Sequence, residues 1–378
     1  MDMDDARREI DEIDRELCRL FERRMDVSDR VGRIKAREGR IIIDPAREKE
    51  ILARAAACVS EEYAHYNVAL YQQILTLSRQ RQRDIFLRES GTPSAFELEM
   101  SRPLPEKPSP RVMVQGSAGS YASIAARQMY PGGSLQYAPT WDEALELLDA
   151  GGADYCVLPV ENTSAGSVTE VYDLLLRYRH YIVKACALPV EHCLLGVRGS
   201  VLQEVREVYS HPHAFPQCTA FFRNHRGMRQ VPVLNTATAA QSVAKWGERS
   251  RAAVSSRECA YIYGLSILAE SIQDTDVNRT RFISVSRRYE LHENAGKISI
   301  AFSVPHVTGS LYRVLSRFAL NGYNLTEIVS RPLADRPFEY FFYADLSGSL
   351  RSPACMSLLG ALSEELPDFR FLGNYDED

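Results

Sequence analysis

The sequence predicts a multidomain chain of three successive parts: an all-α segment, an α/β segment with a mainly parallel sheet, and an α+β segment. Three observations carry this reading. Residues 4 to 38 keep helical periodicity without a proline. From Arg111 to about Arg287 short apolar strands alternate with helices. From Lys297 onward the order reads strand–helix–strand–strand–helix–strand. A chain of 378 residues also exceeds one compact core and calls for two or three domains. With 45% hydrophobic and 25% charged residues the composition is that of a soluble globular protein, and a net charge of −5 leaves no electrostatic footprint for nucleic acid. The eight cysteines (Cys18, Cys58, Cys156, Cys186, Cys193, Cys218, Cys259, Cys355) are scattered without a C-x-x-C pair, which predicts reduced thiols and neither a disulfide frame nor a zinc site. The start is acidic (Asp2, Asp4, Asp5), without an apolar signal segment, and no apolar run approaches the roughly 20 residues of a membrane span. The expectation is a cytoplasmic protein. No residue set points to a metal or an organic cofactor.

In the first segment, placed at residues 1–90, Ile10, Ile13, Leu17, Leu20, Phe21, Val27, Val31 and Ile34 form one apolar stripe. Arg24 and Lys35 fall inside that stripe and Arg7 at its edge, where a charge is costly unless an opposite charge meets it. A second helix starts at Asp44 as N-cap with Pro45 in the first turn, and carries Arg47 and Glu48. A third runs from about Ser60 to Leu87, with Tyr71, Ile74, Leu75 and Ile85 on its apolar face. Ser78 and Gln82, spaced i, i+4, share that face. Internal salt bridges with Glu48 or Asp44 would account for one such residue; so many converging polar positions favour a buried anionic ligand. Arg7 and Arg24 lie roughly 25 Å apart at about 1.5 Å per residue, too far for one small metabolite. Arg7 is therefore expected to serve the site of a partner chain, in an intertwined dimer that buries the stripe.

The residues Arg7-Arg8-Glu9-Ile10, Ile13-Asp14, Glu22-Arg23-Arg24, Val31-Gly32-Arg33-Ile34-Lys35 and Asp44-Pro45-Ala46-Arg47-Glu48 resemble the all-helical chorismate mutases, over about residues 4 to 88. The resemblance implies that chorismate, a dicarboxylate, is held by Arg7 of the other chain, Arg24 and Arg47. It places Lys35 and Gln82 on the breaking ether oxygen, with Asp44, Glu48 and Ser78 positioning the ring hydroxyl or the cations. The residue types suit a Claisen rearrangement, which needs a compact conformer and stabilised charge on the ether oxygen but no nucleophile.

Residues 91–110 contain Gly91, Pro93, Pro103, Pro105, Pro108 and Pro110 and read as a solvent-exposed linker without secondary structure.

In the α/β segment (111–288), Asp154 to Val160 reads as a buried strand and Val168 to Tyr178 as an amphipathic helix. The turn between them, Glu161-Asn162-Thr163-Ser164-Ala165-Gly166-Ser167, points N–H groups and hydroxyls at a helix start. That suits a small anion, or equally an ordinary cap by Thr163, Ser164 or Ser167. Further junctions with hydroxyls before a helix are Ser117 to Ser120, and Thr236 with Thr238. Ligands in α/β folds bind at such junctions. Gly116-Ser117-Ala118-Gly119-Ser120-Tyr121, Leu158 to Leu174, Ser210-His211-Pro212-His213-Ala214-Phe215-Pro216-Gln217-Cys218 and Asn278-Arg279-Thr280-Arg281-Phe282 occur in this order. Together they resemble prephenate dehydratase, whose domain is similar to a two-lobed periplasmic binding protein. The resemblance implies that Thr280 is the principal catalytic residue and Arg281 holds a substrate carboxylate. It places Glu161, Asn162, Thr163, Ser164, Ser210, Gln217 and Phe282 on the substrate, with Glu161, His211 or His213 as candidate proton relays.

The last segment (296–378) has the ferredoxin-like element order and resembles an ACT domain, a module that binds amino acids at a subunit interface. Where dehydratases usually carry Gly-Ala-Leu-Val and Glu-Ser-Arg-Pro, this chain has Gly309-Ser310-Leu311-Tyr312 and Val329-Ser330-Arg331-Pro332, so the usual glutamate is missing. The resemblance implies feedback by L-phenylalanine through Gly309, Ser310, Leu311, Ser330, Arg331 and Pro332. The whole reads as a homo-oligomeric enzyme acting on chorismate and prephenate, with phenylalanine as effector and no nucleic-acid or membrane partner. The competing readings are a non-catalytic amino-acid or anion sensor and a dehydratase that prefers arogenate.

Overall fold

The computed structural model describes residues 2–90, 93–333, 336 and 339–377. Helix α1 (Met3–Glu38) starts at an Asp2–Asp5 capping box and stops at Gly39, whose left-handed backbone (φ 63°) ends the helix without Cβ strain. Helix α2 (Pro45–Ala57) is capped by the Asp44 side chain, and α3 is Glu61–Ser90. Gly32 lets α1 and α3 touch: a Cβ there would lie 2.9 Å from the Gln82 carbonyl oxygen. Only Ser28 and Gly32 of α1 are buried, so Ile10, Ile13, Leu17, Leu20 and Phe21 stay exposed in one chain. The far side of α3 packs on the C-terminal unit. Arg83 pairs with Glu364 at 2.6 Å, Gln80 with Asn321 and Gln73 with Tyr312.

The expected unstructured linker is corrected. Helix α4 (Ala95–Met100) opens with a Ser94–Glu97 capping box, and Phe96 and Met100 are buried in the C-terminal core beside Ile298 and Phe371. Two apolar side chains four apart, behind a cap, gain more from burial than the flanking prolines oppose. Gly91 and Thr92 lie outside the described residues.

The α/β part runs β1 (Arg111–Gln115), α5 (Tyr121–Met129), β2 (Ser134–Ala138), α6 (Trp141–Asp149), β3 (Tyr155–Asn162), β4 (Gly166–Ser167), α7 (Thr169–Tyr178) and β5 (Tyr181–Pro189). A second lobe follows: β6 (Cys193–Gly196), β7 (Glu207–Ser210), α8 (Thr219–Asn224), β8 (Arg229–Pro232), α9 (Thr236–Trp246), β9 (Arg251–Ser255), α10 (Arg257–Tyr263) and β10 (Ser266–Ala269). Strand β11 (Arg279–Ser286) then returns to the first lobe. The lobes carry mixed sheets, not the mainly parallel one expected. The first is ordered β2-β1-β3-β11-β5 and the second β10-β6-β9-β7-β8. β11 runs antiparallel to both its neighbours because it re-enters from the second lobe.

The C-terminal unit is β12 (Lys297–Ser303), α11 (Ser310–Leu320), β13 (Leu325–Pro332), β14 (Tyr340–Ser347), α12 (Pro353–Glu365) and β15 (Arg370–Glu377). Its antiparallel sheet, β13-β14-β12-β15, is the ferredoxin-like arrangement expected. The strand start expected at Phe338 lies outside the described residues. The end of β15 pairs with β5 through Asp376 and Glu377, which joins this sheet to that of the first lobe. Replacing Phe96 with Ala should cost about 3 kcal/mol of unfolding free energy in denaturant titration, as emptying a buried aromatic site does; a loss within error would mean α4 is a passenger.

Candidate active sites

The N-terminal helices bring together Arg24, Lys35, Glu48, Ser78 and Gln82. Arg24 donates to Ser78 Oγ, and Lys35 Nζ donates to the Ile42 carbonyl oxygen. Burial lowers the pKa of both cations, which for Lys35 the nearby Asp44 and Glu48 oppose. Gln82 Oε1 is buried with no hydrogen-bond partner among the described residues. Arg79, which sequence reasoning missed, spans both oxygens of Glu48 at 2.7 and 2.6 Å. It stands one turn before Gln82 on α3, and that i, i+3 spacing was its available signal. Asp44 stands near Lys35 as the cap of α2, whereas Arg47 and Arg7 are not brought in. Asp44 accepts the Arg47 N–H as a cap, Arg47 pairs outward with Glu50 at 2.6 Å, and Arg7 is exposed beside Asp4. Arg24 and Lys35 hydrogen-bond only to a hydroxyl and a backbone carbonyl, and of the carboxylates near Lys35 Glu48 is already paired with Arg79, so a dicarboxylate would supply negative charge here.

The second site lies where β3 and β11 meet the second lobe. Their register places Asn162 opposite Thr280. Asn162 Oδ1 accepts the N–H groups of Ser164 and Ala165 at 3.0 and 2.9 Å, which makes the 163–165 turn an Asx turn. Gly166 and Ser167 then pair back on β3, and α7 begins at Val168 without a side-chain cap. Both sequence readings of this turn, anion cradle and hydroxyl cap, are thereby corrected: the N–H groups of Ser164 and Ala165 are spent on Asn162 and that of Thr163 on the Arg279 carbonyl. Asn162 Nδ2 lies 2.8 Å from Thr280 Oγ1 and 2.9 Å from Asn278 Oδ1. Because the threonine oxygen accepts from Asn162, its own hydrogen is left to donate. Asn278 Nδ2 donates to Gln217 Oε1 at 3.1 Å, which also lies 2.8 Å from His192 Nε2, and Tyr121 OH stands 3.5 Å from His192 Nδ1. Burial lowers the His192 pKa, so the ring is neutral, with its proton on Nε2 facing the Gln217 oxygen. Ser164, His213, Gln217 and Asn278 line a cavity of about 410 Å³ here. The lobes meet closely beside it: Ser256 Oγ donates to the Gly119 carbonyl at 2.8 Å, and a Cβ on Gly119 would lie 2.6 Å from Cys259 Sγ.

Four expected cleft residues are elsewhere. Ser210 is fully buried and donates to the Val254 carbonyl inside the second lobe. Phe282 is 3% exposed in the core with Val112 and Val157. Arg281 leaves the opposite face of β11 and is enclosed by carboxylates of the C-terminal unit, and its cross-strand neighbour Glu161 shares that side of the sheet. Thr163 latches the turn to β11 by accepting the Arg279 N–H at 2.9 Å. His211 caps the short turn that carries His213. Sequence reasoning missed Asn278 and Tyr121, although both belong to runs singled out, and His192, which no motif marks.

Residues 112–290 match the family model for prephenate dehydratase, and residues 6–83 that for chorismate mutase type II. A bifunctional chorismate mutase/prephenate dehydratase of Aquifex aeolicus is 31% identical over 376 residues, covering 99% of this chain and 98% of the relative. The chain belongs to the bifunctional chorismate mutase/prephenate dehydratase family. An arogenate dehydratase/prephenate dehydratase of Arabidopsis thaliana is 37% identical over 284 residues, which is 71% of this chain and 72% of the plant protein. The crystal structure of an Arthrobacter aurescens prephenate dehydratase in complex with L-Phe is 30% identical with a TM-score of 0.65, covering 70% of this chain and 89% of that one.

Within this family member only the first half of the expected effector motif lines a groove, while Ser330 and Pro332 pair across the sheet with its lining residues Phe342 and Tyr340. Gly309, Ser310 and Leu311 line a groove of about 770 Å³ with Tyr312 and Tyr340. Ser330, Arg331 and Pro332 lie on the edge strand β13, where Arg331 makes a two-pronged pair with Asp173 of α7 at 2.6 and 3.1 Å. Among the described residues, no helix is long and apolar enough to cross a membrane. An NMR titration should find His192 neutral at pH 6.5 and above, since its pKa is lowered from 6.5; a midpoint above that value would show that the Gln217 contact outweighs burial.

Proposed function

We infer that the chain rearranges chorismate to prephenate in its N-terminal helices and converts prephenate to phenylpyruvate in the two-lobed cleft. In the first reaction Arg24 holds a carboxylate, and Lys35 and Gln82 face the ether oxygen as its bond to carbon breaks. The Gln82 side-chain NH₂ can donate to the ether oxygen while its oxygen takes a substrate hydroxyl. Arg47 and Arg7 point outward in one chain, and the exposed stripe of α1 supports an intertwined dimer that would carry Arg7 to the partner's site.

In the second reaction the carboxylate carbon leaves as CO₂, its bonding pair enters the ring, and the C–O bond to the ring hydroxyl breaks. The observation that carries this reading is the Thr280 hydroxyl, its hydrogen uncommitted, held by Asn162, whose other partner Asn278 lines the cavity. That hydrogen meets the departing hydroxyl, while aromatisation drives the step. A threonine hydroxyl is a weak acid, so Thr280 acts as a hydrogen-bond donor, and the released hydroxide is neutralised by acid in the surrounding buffer. The plant relative that is named for arogenate as well as prephenate supports a second reading in which the cleft accepts arogenate. Comparison of kcat/KM on the two substrates decides between them. The groove at Gly309 to Tyr312 supports phenylalanine feedback, completed by Ser330 to Pro332 of a second copy. Isothermal calorimetry without a phenylalanine heat would overturn it.

Lys35→Ala should cost on the order of 3 kcal/mol in the mutase barrier, about 100-fold in kcat, as the loss of one preorganised donor does. An unchanged mutase kcat would remove Lys35 from the site. Thr280→Val keeps the volume and should abolish phenylpyruvate formation with mutase turnover intact; retained dehydratase turnover would sink the assignment.

A further inference from the structure

Successive side chains leave β11 on opposite faces. Thr280 turns to Asn162 and the cleft; Arg281, the next residue, turns to the C-terminal unit. Its Nη1 lies 2.7 Å from Glu327 of β13, and its Nη2 lies 2.6 Å from Asp345 of β14 and 2.9 Å from Tyr375 OH, while Nε donates to Glu377 of β15. Every guanidinium nitrogen is engaged, each by a carboxylate from a different strand, and the side chain is only 11% exposed. The group is locked from behind, since Ser299 Oγ donates to Asp345 at 2.5 Å and lies 2.7 Å from Tyr375 OH. Lys297 is the second cation, on Glu377 and 3.7 Å from Asp345. Burial, with Asp345 close by, raises the Glu327 pKa. Burial acts the same way on Glu377, but Lys297 and Arg281 outweigh it and leave its pKa lowered. Three largely buried carboxylates against two cations leave Arg281 nothing to give a substrate, and removing it would strand negative charge in the interface.

We propose that Arg281 is a positioning residue that ties Thr280 to the sheet of the C-terminal unit, so that the placement of β13, β14 and β15 sets dehydratase turnover. The tie needs no loop to carry it. It acts on the residue covalently next to the reacting hydroxyl, and the β15–β5 pairing makes the two sheets continuous around it. This rests on the reading of Thr280 as the group that meets the leaving hydroxyl.

The test uses the full chain with Arg281→Met, Arg281→Lys and Glu327→Gln. Each is assayed for kcat and KM on prephenate and for mutase turnover on chorismate, with hydrogen exchange of the β11 amides alongside. Arg281→Met should lose on the order of 100-fold in dehydratase kcat, as a misplacement of about 1 Å does. Its KM for prephenate should stay within about threefold, the mark of an effect on the transition state alone. Mutase turnover should be unchanged, and the β11 amides should exchange faster. Arg281→Lys should recover part of the kcat, because it restores the charge without the fork. Glu327→Gln, which leaves Arg281 itself intact, should show the same pattern more weakly, and it carries the test if Arg281→Met does not fold. A raised KM with unchanged kcat would put Arg281 on the substrate and overturn the proposal. Unchanged kcat in both Arg281→Met and Glu327→Gln would overturn it as well. A wild-type chain inactive on both prephenate and arogenate would remove the reading of Thr280 instead, and unaltered β11 exchange in the variants would then show that the tie itself is absent.

Discussion

The antiparallel register of β11 on β3 is the constraint on which the dehydratase part depends. A whole lobe is inserted between β5 and β11, and the chain must come back so that Thr280 falls opposite Asn162. A slip of one residue would exchange the faces of Thr280 and Arg281, burying a hydroxyl among carboxylates and aiming a guanidinium at the cleft. Contacts on both sides oppose that slip. On the cleft side Asn162 bonds to Thr280, Asn278 and its own turn, and Thr163 holds the Arg279 N–H. On the other side the Arg281 cluster anchors the strand to the C-terminal unit.

The N-terminal helices solve a different problem. A helix as long as α1 cannot bury its own stripe against two shorter ones, and the one contact that must be close is made by Gly32 on α3. What α1 and α3 do enclose is a set of donors with too few acceptors: Arg24 on a serine, Lys35 on a carbonyl. The same α3 packs its other face on α11 and α12, so the mutase donors and the C-terminal helices share one rigid element.

Much of this was legible in the sequence. The 3.6-residue period and the Asp44–Pro45 cap located α1 and α2, and strand–helix alternation with the final six elements gave the outer architecture. Asn162, Gln217 and Thr280 converge although they are far apart in the chain. Other features were hidden for physical reasons. A run such as Thr280-Arg281-Phe282 on a strand cannot turn three side chains to one cleft, so Arg281 faces the C-terminal unit and Phe282 sits deeper in the core. The hydroxyl-rich turn after β3 satisfies itself through Asn162, which no helix-start rule anticipates. Helix α4 hid among prolines although its Ser94–Glu97 box was readable. His192 enters by tertiary approach and leaves no trace in local sequence, while Tyr121 closes the quoted Gly116 to Tyr121 run but gained its place only through His192.

The most direct measurement is the product formed by the purified chain from chorismate alone. Phenylpyruvate, without added enzyme or cofactor, is the predicted outcome, since both sites then operate in sequence on one polypeptide. Chorismate left unchanged, followed by prephenate left unchanged in a second run, would contradict it and leave the two-lobed and C-terminal units as binding modules.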